Sequence, residues 1–425
     1  MNFDVLLRSL FILTLGMMGS DRINFFTGYG EASFKLTPFL LLSALFLFSY
    51  YTNRLITFRT LSFKRSLLTS GYLWLTFMLL VICVATALRS QDVLGIKRLL
   101  LLAYQMLFAF SFAAYVMQLS KQEREKVIVL GAQLGVLIYS FLNLLQVDYF
   151  FGILWGKELL SNLSFLDVMP SVYGDFAVRL SGGTLDPNRA GLILICYAAL
   201  ILVFSSKDKK SALILFLIAF QLLLTFSRSA YLAGIIFIFL SHRHLLRSKS
   251  AMVAMVFSVS LFVGFVLFLS NMDIGLDVQK IIDDRFSFSE HNSTGEHFRL
   301  FAKAIEIATS NYMNLVIGIG FGNSYQYLPD FFGGSKYGNF HSIYLTMLVE
   351  TGIGGLMVVM LIMGIPGVKN LLFRPIIGAL IGFNLFYQLQ LEPFFWFVLA
   401  LAWLIPTEIK PLSLCFAESR RIENL

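Results

Sequence analysis

Long apolar runs separated by short polar segments recur along the whole chain. A helix needs about 20 residues to cross a hydrocarbon core of about 30 Å, and in lipid it bonds all its backbone groups internally. The pattern therefore predicts an all-α polytopic membrane protein with about twelve transmembrane helices, forming one transmembrane domain over residues 1–425. The predicted spans are 5–18, 36–51, 72–88, 99–119, 127–147, 190–205, 212–226, 230–240, 251–270, 342–365, 371–388 and 393–409.

Two of the segments between spans are much longer than the rest. They cover residues 148–189 and 271–341, and long loops in compact proteins are usually functional or disordered. In the second, residues 295–310 carry an apolar stripe at helical spacing, formed by Phe298, Phe301, Ile305 and Ala308. This spacing predicts an amphipathic helix near the outer membrane surface, in a large and partly helical loop.

Composition agrees with a membrane protein. Hydrophobic residues make up 57% of the chain and charged residues 14%, and the mean hydropathy of +0.77 excludes an ordinary soluble domain. The three cysteines, Cys83, Cys196 and Cys415, lie far apart without redox or metal spacing, so we interpret them as packing residues.

Charged residues divide between alternate loops, and this division predicts the topology. Basic residues are retained on the cytoplasmic side. One set of loops contains Arg54, Arg59, Lys64, Arg65, Lys121, Arg124, Lys126, Lys207, Lys209, Lys210, Arg243, Arg247, Lys249, Lys369, Arg374, Lys410, Arg420 and Arg421. The opposite loops contain Asp148, Glu158, Asp167, Asp175, Asp186, Asp273, Asp277, Asp283 and Asp284. Both termini are thus predicted to be cytoplasmic and both long loops periplasmic.

The same distribution argues against a nucleic-acid partner. The net charge is +8, but the basic residues are scattered over short loops, whereas a nucleic-acid surface gathers them in a patch or stripe. The charge is therefore better explained by topology.

Four basic residues on the predicted periplasmic side are candidates for chemistry: Arg189, Arg228, Arg299 and His341. Arg228 interrupts an apolar stretch, where a charge is costly unless it faces a cavity or a partner; otherwise it simply snorkels to lipid headgroups. Arg299 on its own is equally typical of a solvated helix face.

His341 opens a long apolar helix beside Ser342. Its imidazole can be neutral near physiological pH and act as a proton acceptor, and the alternative is an ordinary interfacial histidine.

The segment Asp186–Arg189 stands where the first long loop meets a helix. Pro187 suits the first helical turn, and capping of the helix is the favoured interpretation of Asp186. Helix N-termini bind anions, so Arg189 is a candidate for contacting a phosphate or an acceptor glycan.

Four sequence motifs follow one another in a fixed order. They are "RLSGGTLDPNRAG" at 179–191, "TFSRSAY" at 225–231, "GIGFGNS" at 318–324 and "FHSIYLTMLVETGIGGL" at 340–356. Together they resemble the bacterial O-antigen ligase and O-antigen polymerase family. The resemblance covers residues 179–356 by motif and the remaining chain only by hydropathy.

The resemblance implies a metal-independent glycosyltransferase of the inner membrane, with a periplasmic active site and no cofactor. Its donor is a glycan on undecaprenyl diphosphate. By position, Arg228 and Arg299 are expected to hold the diphosphate and His341 to activate the acceptor hydroxyl. Arg179, Asn188, Arg189 and Glu350 are further candidates for binding substrate, Glu350 also being a weaker candidate base.

The favoured function is a polysaccharide polymerase that transfers the glycan en bloc to a sugar hydroxyl and inverts the anomeric centre. A ligase that uses lipid A core as acceptor is the alternative within the family. Other expected partners are membrane lipids and a chain-length regulator protein. A transporter or flippase, and a non-catalytic scaffold, are the rival classes; transporters bind near the membrane midplane, whereas the ionisable candidates here gather at one face.

Overall fold

The computed structural model describes residues 3–27, 35–58, 70–90, 92–152, 154–163, 165–173, 177–205, 209–245, 293–332 and 338–405. The predicted span 251–270, the acids between Asp273 and Asp284, and Cys415 lie outside these residues.

Helices dominate the described part of the chain. The helices within residues 3–245 are α1 Phe3–Gly16, α2 Pro38–Phe58, α3 Gly71–Ser90, α4 Val93–Val116, α5 Lys121–Phe151, α6 Gly156–Ser161, α7 Pro187–Phe204, α8 Lys209–Leu224 and α9 Arg228–Leu245. The later helices are α10 Ser293–Thr309, α11 Tyr312–Val316, α12 Pro329–Phe332, α13 Ile343–Lys369, α14 Arg374–Phe383 and α15 Pro393–Leu404. A 3₁₀ turn covers Ser324–Tyr327.

Most predicted spans coincide with one of these helices. Among the described residues, α2, α3, α4, α5, α7 and α13 are long and apolar enough to cross a membrane. Shorter apolar helices occupy Ser211–Leu224, Arg228–Ser241, Arg374–Phe383 and Pro393–Leu404. The chain is therefore a multi-pass, largely helical membrane protein, and the number of twelve spans stays a prediction.

Two small antiparallel hairpins were not predicted from the sequence. In the first, β1 (Phe26–Thr27) pairs with β2 (Lys35–Leu36). In the second, β3 (Ser171–Tyr173) pairs with β4 (Ala177–Arg179). Strands this short carry no readable alternation, so hydropathy assigns them to loops.

The core of the bundle surrounds α15. Every residue of this helix except Trp403 is buried, and it packs against α3, α4, α7 and α13. An apolar helix without a polar face is buried in protein or lipid on all sides. A second close contact joins α1 and α5, where Leu15 packs on Gly131.

The amphipathic helix predicted at 295–310 is present as α10, and its place near the outer membrane surface stays a prediction. Its buried side consists of Leu300, Ala304, Ile307 and Ala308, which pack with Ile319, Leu328, Phe340 and Val349. Of the predicted stripe only Ala308 belongs to that side. Phe298, Phe301 and Ile305 are exposed, so α10 carries a second apolar stripe that faces away from the protein core, as the apolar face of a helix on a membrane surface does.

The long helix α13 is broken two turns after its start. Gly352 has φ 68° and ψ −170°, outside the helical region. The glycine turn 318–324 fits against this break: the Gly320 amide donates to the carbonyl oxygen of Glu350 at 3.1 Å, and the Gly322 amide donates to the Glu350 carboxylate at 2.9 Å. The backbone of the turn 318–324 is thus hydrogen-bonded to α13 at Glu350.

The same turn is also bonded to the α3–α4 hairpin. Arg89 donates to the Gly318 carbonyl oxygen at 3.0 Å, and Arg98 donates to that of Gly322 at 2.6 Å. Positive φ at Gly320 (114°) lets the turn approach Ser90 where a Cβ would clash. The "GIGFGNS" motif is therefore a structural joint, which connects α13 to the α3–α4 hairpin through hydrogen bonds.

Candidate functional site

The start of α7 is held by Asp186. Its side chain accepts a hydrogen bond from the Asn188 amide at 2.8 Å, with Pro187 in the first turn, which confirms the predicted cap. The second carboxylate oxygen accepts from the Tyr387 hydroxyl at 2.8 Å. Asp186 thus joins the end of the first long loop to the segment between α14 and α15.

Asn188 links the first two sequence motifs. Its Oδ1 accepts from Arg179 Nη2 at 3.2 Å and from the Ser227 hydroxyl at 2.7 Å. Arg179 Nε also donates to the Thr225 carbonyl oxygen at 3.0 Å. These bonds assemble the two motifs, far apart in sequence, into one polar unit.

Arg228 is the first residue of α9 and is half-buried. The preceding Ser227 hydroxyl accepts a hydrogen bond from the Ala230 amide at 3.2 Å, which caps the helix. A helix N-terminus carries a partial positive charge. The charge of the Arg228 guanidinium and the partial charge of the helix end therefore add to a positive potential, which suits the binding of an anion.

His341 lies just before α13, half-buried, with its amide donating to Asn339 Oδ1 at 2.8 Å. Its ring meets the imidazole of His297 on α10 edge to face, with centroids 5.2 Å apart and an interplanar angle of 73°. Phe386 approaches His297 from another side at 6.4 Å. Two imidazoles therefore share one partly buried space.

Burial keeps both imidazoles neutral near physiological pH. It lowers the pKa of His297 to about 4, with further lowering from His341 and Arg228. Burial also lowers the pKa of His341, against the opposing effect of Asp186 and Glu296, which raise it. A neutral imidazole is the form that accepts a proton.

Backbone strain occurs close to Arg228 and at His341 itself. Among the described residues, Phe226 (φ 48°) and His341 (φ 49°) are the non-glycine residues with positive φ. Such conformations cost about 1–3 kcal/mol and cluster at functional sites. One stands two residues before Arg228 and the other is the histidine itself.

Arg189, although next to Asn188, points into a different set of contacts. Its guanidinium forms ion pairs with Asp21 and with Glu392. The Glu392 side chain is only 4% exposed, and the cluster joins the α1–β1 segment, α7 and the start of α15. The prediction that Arg189 binds substrate stays a prediction.

Glu350 and Arg299 also lie apart from the histidines. Glu350 is 1% exposed and its carboxylate accepts the amides of Gly322 and Ser324, at 2.9 and 3.3 Å. Arg299 is exposed on α10, with its guanidinium 5.1 Å from the centre of the Phe331 ring. The structure thus brings Arg179, Asn188, Arg228 and His341 toward one another and sets Arg189, Glu350 and Arg299 around them.

Sequence reasoning missed His297, Tyr387, Asp21 and Glu392. The signal for His297 was present, since it lies on the predicted amphipathic helix two residues before Arg299. Asp21 and Glu392 could not be found from the local sequence, because they are separated from Arg189 by 168 and 203 residues.

No group of three or more His, Cys, Asp or Glu side chains is arranged to hold a metal ion within the described part of the chain. The expectation that the reaction needs no metal stays a prediction.

Comparison with known proteins finds a family match over part of the chain. The family described as O-antigen ligase matches residues 213–360, about a third of the chain. The matched segment includes Arg228, His297, Arg299, His341 and Glu350. No curated protein is significantly similar to the chain. The match includes three of the four motifs, those at 225–231, 318–324 and 340–356, so this part of the chain is similar to the O-antigen ligase and O-antigen polymerase family of membrane proteins.

Proposed function

We propose that this protein is a glycosyltransferase that moves a glycan en bloc from a lipid diphosphate to a sugar hydroxyl at the periplasmic face of the inner membrane. The observation that carries the proposal is the strained His341 in contact with His297, on which the charge of Arg228 at the start of α9 acts. An inverting transfer needs a base and a group that stabilises the leaving phosphate, and these two features supply them.

The donor's leaving group is a lipid diphosphate, on which negative charge develops as the glycosidic bond breaks. A guanidinium stays charged and offers paired planar hydrogen bonds to phosphate. Arg228 at the start of α9 is suited to this task, with Arg299 on α10 as a second contact. Stabilising developing charge is often the largest single contribution to catalysis.

The acceptor hydroxyl is a poor nucleophile until it loses its proton. In the proposed step, neutral His341 takes that proton while the hydroxyl oxygen bonds to the anomeric carbon of the donor. The bond from that carbon to the diphosphate oxygen breaks, and the electron pair leaves with the lipid diphosphate. The attack comes from the opposite face, so the anomeric configuration inverts. General-base help of this kind contributes about 10²- to 10⁴-fold.

The acceptor is proposed to be the sugar end of another lipid-linked repeat, which makes the protein a polymerase. The "SGGTLDPNRAG" segment, which more resembles polymerases of surface polysaccharides than ligases, supports this choice. The second candidate is a ligase that uses lipid A core as acceptor, and the name of the matching family favours it.

The proposed step uses only the chain's own side chains and the two substrates, and we propose that it needs neither a metal ion nor a nucleotide. We also propose that both termini are cytoplasmic, that the site is periplasmic and that a chain-length regulator protein is a partner.

The test uses purified protein in nanodiscs with an undecaprenyl-diphosphate-linked repeat, in the presence of a chelator and without nucleotide. Wild type is compared with Arg228→Ala, Arg228→Lys and His341→Ala. We expect chain growth with wild type, a loss of about 10²-fold or more with His341→Ala, and little rescue by lysine, because an ammonium group cannot form paired planar bonds.

The acceptor distinguishes the candidates. Growth on the lipid-linked repeat alone supports the polymerase, and transfer only after addition of lipid A core supports the ligase. Unchanged activity in His341→Ala and Arg228→Ala would remove these residues from the mechanism, and absence of transfer to either acceptor would favour the transporter and scaffold interpretations.

A further inference from the structure

His297 is a half-buried ionisable group in the candidate site, and the proposed reaction gives it no role. It lies on α10, in the periplasmic segment, while His341 lies just before α13. Their rings are in contact at 5.2 Å between centroids, and Phe386 closes a further side of the His297 ring. The contact joins two elements that are otherwise held together by apolar packing.

The position of His297 on its helix makes this contact specific. Its neighbours in sequence, Glu296 and Phe298, are exposed, whereas the His297 ring is turned into the site. A residue that only filled space there would be apolar, as Leu300 is one turn along the buried side. An imidazole, in contrast, can be protonated, and its positive charge would then lie next to the proposed base.

We propose that His297 is a positioning residue for His341, holding its imidazole in place and governing its charge. The inference rests on the proposed function, because it assumes that His341 acts as the base. His297 does not touch the reacting atoms in this assignment; it acts through His341.

The charged groups around the pair come from three elements. Arg228 at the start of α9 acts on His297. Asp186 at the start of α7 and Glu296 on α10 act on His341. Because two cations in contact repel, protonation of one imidazole opposes protonation of the other. With Arg228 beside His297, the neutral pair is the stable form near pH 7.

The experiment measures the charge of His341 directly. Diethyl pyrocarbonate modifies only unprotonated imidazole, so the rate of modification of the peptide containing His341, followed by mass spectrometry against pH, gives its titration midpoint. The protein is the full chain in nanodiscs. The variants are His297→Glu, His297→Lys and His297→Gln, with Glu306→Gln on the exposed side of α10 as the matched control.

We expect the midpoint of His341 to rise by about one pH unit or more with His297→Glu and to fall by a similar amount with His297→Lys, because a charge within about 4–6 Å shifts a pKa by 1–3 units. Glu306→Gln should leave it unchanged. In the transfer assay, His297→Gln should lower kcat about tenfold with the KM for donor unchanged.

A His341 midpoint that is the same in the glutamate and lysine variants would overturn the proposal, as would wild-type kcat in His297→Gln. If the midpoint shifts but wild type transfers no glycan, the coupling of the two histidines stands and the glycosyltransferase proposal fails.

Discussion

At the scale of single residues, the site is built from side chains with two kinds of task. Some hold backbone segments together: Asn188 and Arg179 are bonded to the turn before α9, and Asp186 is bonded to Tyr387 between α14 and α15. Others present charge or a proton acceptor, such as Arg228 and His341. Arg189 belongs by its contacts to the first kind, because both of its partners are carboxylates of the protein itself.

The Arg189 cluster leads to a prediction about stability. Arg189→Ala leaves the carboxylates of Asp21 and Glu392 close together and unpaired, so we expect a loss of about 3 kcal/mol, the lower end of the range for breaking a buried ion pair. Thermal unfolding in detergent measures it. The double variant Arg189→Ala with Glu392→Gln should recover part of the loss; a single variant as stable as wild type would contradict the structural assignment.

The pKa of His341 leads to a prediction about pH dependence. The base works when neutral, so activity is present above the folded-state pKa and is lost as the pH falls through it. Since burial lowers this pKa from its ordinary value of 6.5, we expect the acid limb of kcat/KM to lie below pH 6.5. A pH profile of glycan transfer checks this, and an acid limb above pH 7 would contradict it.

At the scale of elements, the break in α13 determines how the segment 293–332 attaches to the bundle. The turn 318–324 donates a hydrogen bond to the backbone carbonyl oxygen of Glu350 and accepts hydrogen bonds from Arg89 and Arg98 at the ends of α3 and α4. Since α10 packs on this turn and on the first part of α13, the position of His297 relative to His341 depends on the joint. The glycines matter here because their backbone conformations and the close approach exclude a Cβ.

Substitution at the break tests this dependence. Gly352→Ala places a Cβ against the Val316 carbonyl oxygen at φ 68°, so we expect destabilisation of about 1–3 kcal/mol and weakened glycan transfer. Gly354→Ala, two residues further on in open space, is the control and should be neutral or slightly stabilising. Equal melting temperatures for the two variants would show that the break is not needed.

Elements were predicted well where a long apolar run was enough. The helices α3, α5 and α7 follow directly from hydropathy, and so does the existence of α10. The side of α10 that packs on the protein could not be predicted, because Leu300 belongs to a second apolar stripe and only tertiary packing buries it. The break at Gly352 was also hidden, since nothing local distinguishes it from Gly354.

At the scale of the whole molecule, the candidate site collects at one end of the bundle from segments distant in sequence. Motif order predicted Arg228 and His341 as site residues, and the structure brings both to His297. The order of the sequence motifs could not predict the ion pairs of Arg189, because pairing between residues 21, 189 and 392 leaves no local pattern. Long-range contacts thus supply most of the site.

The predicted topology has its own test. Single cysteines are placed at Lys121, before α5, and at Tyr312, at the start of α11, in a chain that carries Cys415→Ser. A membrane-impermeant maleimide on intact cells should label position 312 and spare position 121, and Cys83 and Cys196 are buried and should not react. Labelling of position 121 but not of position 312 would show that the orientation is the opposite of the predicted one.

The ion cluster of Arg189 has a consequence for how the protein is made. Asp21 and Arg189 emerge from the ribosome long before Glu392, which lies 203 residues after the arginine. A nascent chain that has inserted α1 to α14 still lacks the second carboxylate, together with the central helix α15 that follows it. The early helices are therefore inserted before the core can close, and arrival of α15 completes both the ion cluster and the core in one late step.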